Sequence, residues 1–153
     1  MYYFHPVIVH FTIALLSVAV ISDFLYLITK KETFYQVASW MLVIGAMCAV
    51  GAVLTGNQAA SRVEIPAEIE ALVQTHRNSG QITMWSFLSL AALRFLFIKL
   101  RLFQKPLKWI YYLASAAALL FLFRTGLLGG EMVYIHGVGV NKSAPPVSKP
   151  SFE

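Results

Sequence analysis

The chain has 153 residues, of which 58% are apolar and 12% charged, and its mean hydropathy is +0.68. An average soluble domain is about 45–50% apolar and about 25% charged, so a disordered chain, a disulfide-stapled secreted module and an ordinary soluble enzyme are excluded, and an integral membrane protein remains. The net charge of +5 does not point to nucleic acid, because the basic residues fall between apolar blocks rather than in a stripe with interleaved aromatics. The single cysteine, Cys48, lies inside an apolar run and has no partner for an internal disulfide.

A bilayer core about 30 Å thick is spanned by about 20 apolar helical residues. The first such block runs from about Pro6 to Thr29. No basic n-region precedes it and it is too long for an h-region, so it is expected to stay as a membrane helix rather than be cleaved. Pro6 suits its first turn, where a missing N–H costs nothing. The second block runs from about Phe34 to Thr55, the third from about Gln81 to Leu100 and the fourth from about Leu107 to Leu128. Between the second and third blocks, Ile69, Leu72, Val73 and His76 recur on one helical face, with Glu68, Glu70, Gln74 and Arg77 free for the wet side. This predicts a short amphipathic helix at the membrane surface. The expected fold is all-α: a four-helix integral membrane bundle with that surface helix in its second connection. Residues 1–140 form the transmembrane domain, and residues 141–153, rich in Pro, Ser and Lys, form a flexible tail. No internal repeat is visible.

Lys and Arg in short loops set orientation. Lys30, Lys31, Lys99, Arg101, Lys105 and Lys108 fall on one face, against Arg62 and Arg77 in the loop on the other. The first face is expected to be cytoplasmic, in a bacterial inner membrane, with both termini outside. His5, His10, His76 and His136 then all fall on or near the outer face. Asp23 and Arg94 lie at matching depths in the inner halves of the first and third helices. A buried charge is costly unless paired, so the two are expected to meet.

The stretches FHPVIVHF (Phe4 to Phe11), TGNQAA (Thr55 to Ala60) and GGEMVYIHGVGV (Gly129 to Val140), with His76 between them, resemble a bacterial family of predicted membrane proteins, domain of unknown function 2231. The resemblance covers nearly the whole chain up to the tail. It implies a four-helix membrane unit, sometimes associated with redox domains, and no established activity.

The residues themselves suggest a chemistry. A non-covalent haem needs axial imidazole, an apolar slot and polar or basic partners for its propionates. His5, His10, His76 and His136 are the candidate axial and metal ligands, and Arg62, Arg77 and Arg124 the candidate propionate partners. There is no CxxCH for covalent attachment. One or two b haems could be held, and four ligands allow three pairings. On a straight helix His5 and His10 point about 140° apart, and His10 lies about 7.5 Å deeper. His10 paired with His76 or His136 is therefore the favoured reading. A stripe of Gly45, Ala49, Ala52 and Gly56 reads first as close helix packing and second as room for a macrocycle. Gly129, Gly130, Gly137 and Gly139 predict a lid that leaves the fourth helix and folds back with His136.

The preferred function is a membrane-bound b-type cytochrome working at the outer face, an electron carrier rather than a catalyst, since no acid–base or nucleophile set is visible. Its expected partners are lipid and a quinol or c-type cytochrome, with a homo-oligomer or a larger complex left open. Two alternatives stay open: a cofactor-free accessory subunit, and a protein holding a non-haem metal through its histidines.

Overall fold

The computed structural model describes residues 4–63, 65–104 and 106–140. The expected mobile tail at 141–153 lies outside the described residues. Four long helices carry the chain: α1 (Phe4–Thr29), α2 (Glu32–Ala60), α3 (Glu70–Lys99) and α4 (Lys108–Tyr134). Each is long and apolar enough to cross a membrane. α1 packs on α2 and α4, and α3 on the same two neighbours. The order around the bundle is therefore the chain order, with α1 diagonal to α3.

The helices are apolar on both faces because both faces avoid water. On α2, Ala38, Leu42, Gly45 and Ala49 are buried while Trp40, Met47 and Leu54 face outward. The outward set needs lipid. The inward set lets helices approach. A methyl added at Gly45 would stand 2.6 Å from Leu16 Cδ2, so the lower part of the small-residue stripe serves packing, as first expected. On the opposite side, α3 and α4 leave a shallow groove of about 860 Å³ on their outer surface, floored partly by Ala114 and Ala117.

The first connection is two residues, Lys30 and Lys31. Lys30 takes φ +56° and its N–H donates to the Tyr26 carbonyl at 2.9 Å, which ends α1 by the left-handed turn usually left to glycine. Arg101 repeats this after α3 with φ +52°.

The surface helix differs from expectation. Ala67–Ile69 form one 3-10 turn, and α3 then starts at Glu70 and runs unbroken to Lys99. No proline interrupts Glu70 to Gln81, so the amphipathic segment extends the third helix instead of lying flat. Its phase is as expected: Ile69 is buried, Leu72, Val73 and His76 are half-buried, and Glu70, Gln74 and Arg77 are exposed.

At the lysine end, Arg94 and Asp23 meet. Arg94 Nη1 donates to Asp23 Oδ1 at 2.7 Å and Oδ2 at 3.0 Å, across the α1–α3 diagonal. The same nitrogen donates to Tyr111 Oη, whose hydroxyl donates on to Asp23 at 3.1 Å. Arg94 Nε donates to Ser39 Oγ and Nη2 to the Tyr35 carbonyl. The guanidinium also sits 4.9 Å from the Tyr35 ring and 5.6 Å from the Phe103 ring. One arginine thus ties all four helices, with its charge matched, its donors used and its faces covered by aromatics.

Candidate functional site

The opposite end of the bundle is built from smaller side chains. There the helices enclose a cavity of about 920 Å³, inside the range of about 300–1,000 Å³ that ligand sites occupy. Its walls include Ala49, Ala52 and Gly56 from α2, Thr83 and Met84 from α3, and Leu122, Thr125 and Gly129 from α4. The upper half of the α2 stripe therefore leaves room, whereas Gly45 below it is filled by Leu16.

Two imidazoles from diagonal helices enter this space. His5 sits in the first turns of α1, half-buried, with its ring on Gly56: a methyl there would stand 2.9 Å from His5 Cε1. His76 sits in α3, half-buried, with its ring on Gly129, where a methyl would stand 3.1 Å from His76 Cε1. Each glycine is needed for that close approach.

Hydrogen bonds fix the tautomers. His76 Nδ1 lies 3.1 Å from the Thr125 carbonyl, which can only accept, so Nδ1 carries the proton. His5 Nδ1 lies 3.1 Å from Thr55 Oγ1. That hydroxyl already donates to the Gly51 carbonyl at 2.7 Å, so it too accepts from Nδ1–H. Both rings keep an Nε2 lone pair with no hydrogen-bond partner among the described residues. A ring whose Nδ1–H is bonded to the protein and whose Nε2 is free has the arrangement of an imidazole ready for a metal.

The other candidates are placed differently. His10 lines the same cavity but is exposed, and its Nδ1 donates to the Pro6 carbonyl of its own helix at 2.6 Å. His136 is exposed and lies off the cavity lining. Of the expected partners for His10, His76 lines the same cavity and His136 does not, and His5, turned toward α2, lines it as well. Arg77 is at the cavity wall and donates from Nε to Asn57 Oδ1 at 2.9 Å. Arg62 is exposed after α2, away from the lining. Arg124 Nη1 donates to Ser79 Oγ at 2.8 Å across the α3–α4 seam, also away from the lining.

The glycine-rich end behaves partly as expected. α4 continues through Gly129 and Gly130 to Tyr134. The chain then reverses: Gly137 at φ +67° and Gly139 at φ +76°, with Val138 N–H donating to the Met132 carbonyl at 2.9 Å. Val138, Gly139 and Val140 close over one side of the cavity. The lid is apolar and does not carry His136 inward.

Thr55 and Thr125 were not singled out by sequence reasoning. His5 meets the Thr55 hydroxyl, whereas His76 meets the backbone carbonyl of Thr125, which any residue there would supply, so only Thr55 carried a side-chain signal.

Residues 3–142 match a family described as predicted membrane protein (DUF2231). The chain belongs to this family. No curated protein and no solved structure matches it. Membership brings this DUF2231 protein a membrane location and contact with lipid, but no chemistry. Any chemistry rests on the cavity and its two imidazoles.

Proposed function

We propose that this DUF2231 protein is a membrane-bound b-type cytochrome that carries electrons at the histidine end of the bundle. The observation that supports this is the His5–His76 pair: two imidazoles on one cavity, each proton held by the protein and each Nε2 lone pair free. Bound there, haem iron would supply one-electron chemistry without any bond to the substrate being made or broken. His5 and His76 would hold the iron. Gly56 and Gly129 let the two rings seat against α2 and α4, the cavity of about 920 Å³ gives room for a flat macrocycle, and Arg77 is the basic side chain placed for a propionate.

The alternatives gain less from the geometry. Among the described residues no three His, Cys, Asp or Glu side chains converge, whereas a tetrahedral site takes three or four protein ligands. A macrocycle needs only two from the protein. A cofactor-free subunit would have little use for glycines that hold two rings beside an open space.

The bias of basic loops toward the Lys30 and Arg101 end supports a bacterial inner membrane with the histidine end outside. All four histidines lie at that end, so the chain would exchange electrons with a partner there, a quinol or a c-type cytochrome, rather than pass them across the bilayer alone.

The test is the colour of the purified protein. A reduced-minus-oxidised spectrum of low-spin b haem, lost in His5→Ala and in His76→Ala, is expected. A preparation that carries no porphyrin and takes up none from added haemin would sink the reading.

A further inference from the structure

The two halves of the chain match position by position. His76 follows His5 by 71 residues, and Arg94 follows Asp23 by the same 71. The buried positions of α1 include Thr12, Leu16, Ala19 and Asp23, and those of α3 include Thr83, Phe87, Leu90 and Arg94, again the same interval. Thr12 donates to the carbonyl four residues back at 2.8 Å, and so does Thr83. Lys30 and Arg101, the two non-glycine residues with positive φ among the described residues, are separated by that interval as well.

The second and fourth helices agree too, with two more residues in the spacing. Ala38, Leu42, Gly45 and Ala49 are buried on α2, and Tyr111, Ser115, Ala118 and Leu122 on α4. Gly56, under the His5 ring, corresponds to Gly129, under the His76 ring. The register holds from one end of the bundle to the other, in buried positions, turn geometry and ring contacts. Side-chain identity holds at only a few positions, such as His5 and His76, Thr12 and Thr83, and Gly56 and Gly129, while Leu16 stands against Phe87 and Ala38 against Tyr111, and so the repeat does not stand out in the sequence.

We infer that α1–α2 and α3–α4 are two copies of one helical hairpin, related by an approximate two-fold along the bundle, and that the cavity is a two-fold site taking a planar metal macrocycle by one imidazole from each copy. This rests on the haem reading and sharpens it. One imidazole from each copy would hold the iron, and iron so held would offer no open position to dioxygen, carbon monoxide or a substrate, which would make the site a carrier.

The experiment uses the full chain in detergent, with visible absorption and electron paramagnetic resonance as readouts. The wild type is expected to be low-spin when oxidised and to bind no carbon monoxide when reduced. His5→Gly and His76→Gly are expected to lose the low-spin signature to the same extent, to bind carbon monoxide, and to recover the wild-type spectrum when free imidazole is added. Recovery also shows that the variants are folded. Haem that is present but binds carbon monoxide in the wild type, or that responds to only one of the two substitutions, overturns the two-fold site while leaving the haem reading intact. Absence of haem from the wild type overturns both.

Discussion

The two ends of this bundle place polar side chains at the same heights on α1 and α3, yet they come out as opposites. At the lysine end Asp23, Arg94, Tyr111 and Ser39 satisfy one another, and Tyr35, Phe97 and Phe103 fill the space around them. At the histidine end His5 and His76 reach Thr55 and the Thr125 carbonyl on the helices beside them, and the cavity is lined by small residues such as Ala52, Gly56 and Gly129 together with Val9, Ile13, Met84 and Leu122. One end is closed by its own chemistry. The other keeps a cavity of about 920 Å³ among small and apolar side chains. A bundle that only needed to fold would have no reason to treat its two ends so differently.

Substitutions can break that contrast or sharpen it. The largest effect is expected at the closed end. Arg94→Ala leaves Asp23 buried without its charge partner, with only the Tyr111 hydroxyl still donating to it, which costs about 3–5 kcal/mol for a buried pair broken on one side. It should abolish recovery of monodisperse protein from detergent extracts, and a double Asp23→Ala, Arg94→Ala variant should recover part of it. Near-normal thermal stability of Arg94→Ala would show that the ion pair does not hold the bundle. Next comes Gly45→Ala, whose methyl meets fully buried Leu16. Overpacking of this kind costs about 1–3 kcal/mol, read as a lower melting temperature. His5→Ala and His76→Ala should do the reverse: little change in melting of the cofactor-free chain, with loss of the haem spectrum. Thr55→Val removes the acceptor of His5 Nδ1–H while keeping the shape, and should weaken haem affinity by about 10–100-fold, as loss of a ligand's outer partner does. The smallest effect belongs to Gly139→Ala, where nothing crowds a new methyl but φ is +76°. The left-handed conformation costs about 1–2 kcal/mol there, felt in the lid alone and measured as faster hydrogen exchange around Val138.

Much of this was legible from residue order. Four apolar blocks gave four spanning helices. The matching depths of Asp23 and Arg94 gave their contact, because unpaired charge in a membrane is so unfavourable that pairing is nearly forced. The phase of Ile69, Leu72, Val73 and His76 was also right. The segment's continuity with α3 was not seen, because a polar face reads as a surface helix whether or not the backbone breaks after it. The seating of the His5 ring was not seen for a related reason. Rotation about α1 separates His5 from His10, but it does not say which neighbour each ring meets. That depends on Gly56 and Gly129, whose part is to be small, and on Thr55, whose hydroxyl had looked like one more helix threonine. The repeat escaped because packing keeps register rather than identity or size.

The link between α1 and α2 is two residues long, whereas 47 residues separate the end of α2 from the start of α4, about 2–10 s of synthesis at roughly 5–20 residues per second. The first hairpin can therefore close as it leaves the ribosome, with His5 already seated on Gly56 and bonded to Thr55. The second imidazole arrives only when α3 and α4 have inserted and docked. The cavity at the histidine end is thereby completed only at the end of membrane insertion, and a nascent chain stalled after α2 holds His5 and His10 with no wall from α3 or α4 around them.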